Sequence, residues 1–320
     1  METSIRKVIR IGEKSYGLTL PKEWLDRLGI KIGSSVETII AGNHITIRPI
    51  TGETIDRSIS LEEGDENMLS KLIIASYIEG KDLIIMRGDK NAIRKAFNIV
   101  KGKLPGMIFV EKGDSPEIRI TADERTINIQ EVIKTMKSTA QVMFELMMKY
   151  LDDNDQEHLK EILIMDDELD SLHFIGLRSV KRMSAKMPEE AIDLAIALKA
   201  LEHIGDALDR ASTYLLRAKL SERCSAALKE ALKIAYRYFQ TSFDALISNN
   251  YRSSLEALNE RQNNVDAVLD ISRKSACFEE LSAVIHEILV IIASSAEASE
   301  ISISKYIREK GEATSLPLKR

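Results

Sequence analysis

The sequence predicts a multidomain, mainly α-helical protein with a short-stranded head, a small α/β middle module and a long helical body. Three observations carry this. Helical periodicity runs almost unbroken from Ile127, where proline appears only once before the tail, at Pro188. Residues 1–50 alternate instead in short strand-sized runs punctuated by glycine and proline. Charge is also unevenly divided, with eight Lys/Arg against five Asp/Glu in residues 1–50 and 37 against 45 in the remainder.

The totals bound what this architecture can do. At 320 residues the chain has room for more than one core. Apolar residues at 44% and charged residues at 30% describe an ordinary soluble protein, and a net charge of −5 excludes one that coats nucleic acid along its whole length. A basic head on an acidic body fits a chain that meets a polyanion at one end and cations at the other. The most apolar run, residues 288–293, is far short of the ~20 residues that span a bilayer, and no signal peptide is read at the start. The expectation is a cytoplasmic protein without membrane insertion. Cys224 and Cys277 have no metal-type neighbour and read as free thiols in a reducing compartment.

In the head, residues 1–50, Val8 and Ile9 lead to Gly12, and residues 18–20 read as a strand stopped by Pro21. Residues 22–28 make one or two helical turns ended by Gly29, and 36–40 with 45–49 form a hairpin about Gly42-Asn43. Trp24 is expected as a core anchor. Arg6, Lys7, Arg10 and Lys14 are the candidate DNA contacts, because guanidinium and ammonium groups neutralise phosphate and release counterions. The plainer reading is a basic edge strand that discourages edge pairing. The blocks Arg6-Lys-Val-Ile-Arg-Ile-Gly12, Gly17-Leu-Thr-Leu-Pro-Lys-Glu-Trp24, Leu28-Gly-Ile30, Gly33-Ser-Ser-Val36 and Ile45-Thr-Ile-Arg-Pro49 together resemble the SpoVT/AbrB domain. That resemblance implies a swapped-hairpin β-barrel built by two chains, hence a homodimer, and DNA as partner. Some 50 residues of short strands cannot bury much alone, which agrees with dimerisation.

Residues 51–125 read as a small α/β linker module: helix 68–79, strand 83–86, helix 91–101, then strands 107–110 and 118–120. Gly88-Asp-Lys90 lacks the spacing of a phosphate loop, and no chemistry is read here. A spacer or dimerisation role is expected.

The body breaks at 152–155, 186–188, 219–221, 248–250 and 275–277, giving six helices in two sets of three, residues 126–219 and 220–308. Each set is expected to form a three-helix bundle. Asp170 and Asp266 lie 96 residues apart, and Asp206 and Glu297 lie 91 apart, consistent with an internal duplication. Residues 309–320 are expected as a disordered tail. Met143, Met147 and Met148 are read as core filler.

The chemistry of the body lies in its acid steps. Leu201, Ile204, Leu208, Ala211 and Leu215 mark one apolar stripe, and Glu202 and Asp206 stack four residues apart on its border, with Asp209 nearly on the same side. Asp166 and Asp170 repeat the step beside Ile162, Leu169 and Leu172. Like charges so placed repel by ~0.2–0.5 kcal/mol, so two such helices side by side could converge four carboxylates on one cation. The alternative is ordinary surface ion pairing, with Lys199 near Glu202 and Arg210 near Asp206. His173 reads as a polar residue on a helix surface. Asp166-Asp-Glu-Leu-Asp170-Ser-Leu172 and Leu201-Glu-His-Ile-Gly-Asp206 resemble the two metal-binding steps of the PhoU family, over nearly 190 residues with a duplicated layout. The resemblance implies Asp166, Asp170, Glu202 and Asp206 as ligands of a divalent or trivalent metal ion whose identity the sequence does not name. It also implies control of phosphate uptake through the phosphate ABC transporter or its signalling proteins. In the second repeat one carboxylate per helix survives, leaving Asp266 and Glu297 as weaker candidates.

Together these give a regulator of phosphate uptake that binds metal through acidic helix pairs and DNA through its head. It would act on transcription or on the transport system. A second reading keeps the body and lets the head only dimerise. A third, a di-iron carboxylate bundle enzyme, wants a Glu-x-x-His step on two helices, and only Asp170-x-x-His173 is present. With no nucleophile–base pair or cofactor motif, no enzyme is expected.

Overall fold

The computed structural model describes residues 3–41, 44–49, 57–62, 64–113, 115–123, 126–275 and 277–314. Met1–Asp56 and Arg57–Arg320 form two compact units.

In the first unit, β1 (Val8–Arg10) pairs antiparallel with β2 (Tyr16–Leu18), placing Ile9 opposite Gly17. The expected strand at 18–20 therefore lies two residues earlier, where the chain can turn back onto Val8. Pro21, with φ −58°, leads into α1 (Lys22–Arg27), and Gly29 at φ +67° supplies the left-handed turn that ends it. β3 (Val36–Ala41) and β4 (His44–Pro49) pair antiparallel with Ile40 opposite Ile45; the Gly42-Asn43 turn lies outside the described residues. Trp24 is half-buried, and no described side chain of this unit is buried. Ile5, Val8, Ile32, Ile40 and Ile45 are each more than 60% exposed.

The second unit opens with β5 (Ser58–Leu61), α2 (Glu66–Ile78), β6 (Leu83–Met86), α3 (Lys90–Val100), β7 (Met107–Val110) and β8 (Glu117–Ile120). The sheet order is β5-β6-β8-β7, parallel between β5 and β6 and antiparallel elsewhere. The Asp65 and Asp89 side chains cap the two helices by accepting from backbone N–H groups. Leu69, Ile73, Tyr77, Ile84, Ile93, Val100, Leu104 and Ile118 fill a core that Ile175 of the helical body completes.

Six helices follow: α4 (Ile129–Asp153), α5 (Gln156–Met183), α6 (Pro188–Leu215), α7 (Glu222–Ile247), α8 (Tyr251–Lys274) and α9 (Phe278–Thr314). Their limits follow local chemistry. Asn154 at φ 60° and Asn249 at φ 53° take the left-handed conformation beyond two helices, and the side chains of Asn128, Asp155, Ser221 and Asn250 accept from first-turn N–H groups. The helices α4–α6 pack on one another, as do α7–α9, and one continuous core joins the two sets through α6 against α9 and α4 against α7. Met143 and Met147 are buried in it.

Two expectations are corrected here. Glu309–Thr314, read as disordered, continue α9, because Glu and Lys are good helix formers and propagation fixes one residue per added hydrogen bond. Residues 315–320 lie outside the described ones. Cys224 and Cys277, read as free thiols, are joined by a disulfide with Cα atoms 5.7 Å apart. Cys224 lies in the first turn of α7 and Cys277 just before α9, so tertiary packing and no local motif brings them together. The argument for a reducing compartment loses its support. Within α9, Leu281–Gly311 is long and apolar enough to cross a membrane by length and composition, and 56% of its most apolar window is buried against the neighbouring helices.

Candidate metal centre

Helices α5 and α6 approach closely because each offers a glycine to the seam. A Cβ on Gly205 would meet Leu169 Cδ1 at 3.0 Å and Asp166 Oδ1 at 3.4 Å; one on Gly176 would meet both Leu198 Cδ atoms at 2.9 Å. The stripe residues Leu169, Leu201, Ile204 and Leu208 are fully buried, so the acids on its border are driven toward one another. Among the described residues, the acids that come together in a group of three are Asp170, Glu202 and Asp206, each offering an oxygen within 4.8 Å of the others. Asp166, one turn before Asp170, stands outside that group.

Charge at this seam is unbalanced. Lys103, from the turn between α3 and β7, donates to Asp170 Oδ2 at 2.7 Å and lies 3.4 Å from Asp167 Oδ1. Lys199 donates to both oxygens of Glu202, and Arg210 reaches Asp206 at 3.1 Å while also holding Glu287 at 3.0 Å. The surface ion pairs expected as the plainer reading are therefore present. Among the described residues, six carboxylates, those of Asp166, Asp167, Asp170, Glu202, Asp206 and Asp209, still face these three cationic groups and the His203 ring, whose Nε2 lies 3.8 Å from Glu202. Burial first, then the charges of Asp170, Asp209 and Asp206, push the Asp166 carboxyl up to about 7. Burial and Asp206 raise Asp209 as well. A seam that raises one carboxyl this far has negative charge to spare, and its all-oxygen donor set fits a hard cation such as Mg²⁺, Mn²⁺ or Ca²⁺. Asp170, Glu202 and Asp206 would hold it, with Asp166 beside them.

Sequence reasoning missed Lys103, which lies 67 residues from Asp170 in a module where no chemistry was expected. It also misplaced His173. That ring is buried, with Nδ1 3.3 Å from the Leu198 carbonyl oxygen and an edge contact to Phe174, and burial lowers its pKa. It sits one helical turn from the seam acids but faces the protein interior. The weaker candidates stay apart. Asp266 is exposed and accepts from Gln262, and neither it nor Glu297 joins a group of three ligating side chains among the described residues.

In the head, Arg6, Lys7, Arg10 and Lys14 are all exposed and sit on or beside the β1–β2 hairpin. Arg10 folds over the turn, donating from Nε to the Gly12 carbonyl at 2.9 Å and from Nη2 to that of Glu13 at 3.2 Å.

Residues 133–214 match the family model of the PhoU domain, and residues 9–55 match that of the antidote-toxin recognition MazE, bacterial antitoxin. The first match runs from within α4 to the end of α6 and contains all four acids singled out on α5 and α6. The second begins within β1, at Ile9, and takes in the rest of both hairpins of the head. A PhoU domain behind a MazE/AbrB-like head is thus the combination the sequence resembles. Both families are regulatory. No curated protein and no solved structure matches the chain.

Proposed function

We propose that this protein is a metal-binding regulator of phosphate uptake, with the helical body as sensor and the head as its DNA contact. One observation carries the reading: the segment matching the PhoU domain is the segment whose packing seam gathers Asp170, Glu202 and Asp206. A bound cation would offset the excess carboxylate charge and fix the spacing of α5 and α6. Its partners on this reading are the phosphate ABC transporter or its signalling proteins, in the cytoplasm. The head, with no buried side chain among its described residues, supports a homodimer in which a second copy supplies the other half of the barrel. No side chain is assigned a catalytic role. The di-iron reading is disfavoured because the sequence offers one Asp-x-x-His step and His173 does not join the group of ligating side chains among the described residues.

Metal content of the purified full chain tests this directly. Dialysed against Mn²⁺, Mg²⁺, Fe²⁺ or Zn²⁺, the wild type should retain metal that an Asp170→Ala/Asp206→Ala variant loses. Equal retention by both would sink the metal reading.

A second reading, in which the head dimerises or meets a protein and never touches DNA, is favoured by one detail. Arg10 spends its guanidinium on the turn carbonyls of its own hairpin. Binding of upstream DNA by the full chain, measured over a salt series, separates the two. An Arg6/Lys7/Arg10→Ala variant should lose that binding only under the first reading.

A further inference from the structure

Lys103 approaches the acid seam from outside the helical body, and its place there does not depend on its charge. Leu104 beside it is buried, Tyr77 Oη donates to the Pro105 carbonyl at 3.0 Å, and Ser171 Oγ on α5 donates to the Gly102 carbonyl at 3.0 Å. These contacts pin residues 101–106 against the module core and α5. From that fixed base the flexible stem carries an ammonium onto Asp170 Oδ2, an oxygen of the buried member of the three-acid group.

We propose that Lys103 is a built-in counter-cation that competes with a bound metal ion for Asp170, so that filling the site and freeing this lysine are one event. The inference rests on the metal-site reading above and assigns it a residue that sets affinity. Two cations sharing one carboxylate oxygen repel, and a metal held by Asp170, Glu202 and Asp206 would stand beside the ammonium. The other two cations at the seam differ. Lys199 and Arg210 come from α6 itself, and Arg210 already has Glu287 as a second seat. Lys103 has the exposed Asp167 within 3.4 Å, so a displaced ammonium moves outward along a path already marked. Coupling of this kind is reciprocal: whatever Lys103 takes from metal affinity, metal takes from the hold of Lys103 on Asp170.

Two measurements on the full chain, stripped of metal, test this. In calorimetric titration with Mn²⁺ and separately Mg²⁺, Lys103→Met should bind tighter than wild type by roughly 5–150-fold, the usual range of such coupling. Lys103→Arg, which keeps the charge, should stay near wild type. Reductive methylation followed by mass spectrometry reads the lysine itself. Mn²⁺ should raise labelling of Lys103 several-fold in wild type, and Asp170→Asn should show the raised level without metal. Equal or weaker binding by Lys103→Met, or labelling unchanged while Mn²⁺ binds, overturns the proposal and leaves the metal reading standing. Binding by Lys103→Met with a silent wild type supports it. If no variant binds either ion, the metal reading falls and this inference with it.

Discussion

Gly205 decides how near the two acid helices come. With Leu169 Cδ1 3.0 Å from where a Cβ would sit, and Leu169 fully buried, Gly205→Ala must push the Leu169 side chain back by a few tenths of an ångström and brings the new methyl into contact with Asp166 Oδ1. Alanine gains about 1 kcal/mol in helix propensity, which offsets much of the crowding. The expected result is metal affinity at least about tenfold weaker with a thermal midpoint within a few degrees of wild type, read by calorimetric titration beside thermal unfolding. Asp166 gives a pH signature. Its folded pKa is raised from 3.8 to about 7, so the stability it contributes is complete below about 4 and is lost as pH rises through about 7. In chelator-treated protein the thermal midpoint should fall over that window, and Asp166→Asn should flatten the fall. An identical slope in the variant would contradict the assignment. At this scale the acids were legible because a four-residue step is fixed by helix geometry, whatever the tertiary fold. Lys103 was not, since its contact spans 67 residues and two modules. Nor could spacing show that Asp166 would stand outside the group its neighbour joins.

Element limits were readable wherever a side chain sets them. Pro188, Asn154, Asp155, Ser221 and Asn250 all stand at helix ends, in the predicted breaks. β5 was missed because Ser58-Ile-Ser-Leu61 is too short to show a period and gains its partner, β6, only through the crossover of α2. Arg178 of α5 was missed for a like reason. Fully buried, it donates to the Tyr77 and Lys81 carbonyls at 2.8 and 2.9 Å, pairs with Asp82 and lies over the Tyr77 ring. Replacing it with Met takes a donor from each carbonyl, although Gly80 N–H still serves that of Tyr77, and breaks the pair with Asp82. Because Arg57 still serves Asp82, the loss should be about 2–3 kcal/mol, at the lower end for a broken buried pair. Hydrogen exchange should show the sheet and α2 losing protection while α7–α9 keep theirs. The Cys224–Cys277 link closes a span of 53 residues from α7 to α9. In the chain-entropy account such a link contributes about 4 kcal/mol, so Cys277→Ser should lower denaturant stability by that order, and added reductant should lower wild type equally. Wild type that shows two free thiols per chain without reductant would remove the link and the effect together.

At the scale of the whole molecule, the head is the part with no buried side chain among its described residues. Several of its described apolar side chains are out in solvent: Ile40 and Ile45 face each other across the β3–β4 hairpin at 79% and 68% exposed, with Val8 and Tyr16 at 68% and 74% on the other hairpin. Burying an isoleucine is worth about 1.5–3 kcal/mol, so a second copy that covers several of these gains enough to overcome the entropy of association. The basic residues on the β1–β2 hairpin would then be presented twice, once per chain, as binding to a two-fold symmetric DNA site requires. Two sets of substitutions in the full chain separate assembly from recognition. Ile40→Glu/Ile45→Glu should convert a dimer to monomers in sedimentation while helix content by circular dichroism holds, because the body has its own core. Arg6→Ala/Lys7→Ala should leave the dimer intact and flatten the slope of log affinity against log salt for DNA by about one for each phosphate no longer neutralised. If the first set abolishes DNA binding and the second weakens it with a shallower slope, both parts of the head's role hold. If the second set changes nothing, the hairpin's charge serves the barrel alone, and the body's signal must leave through a protein partner.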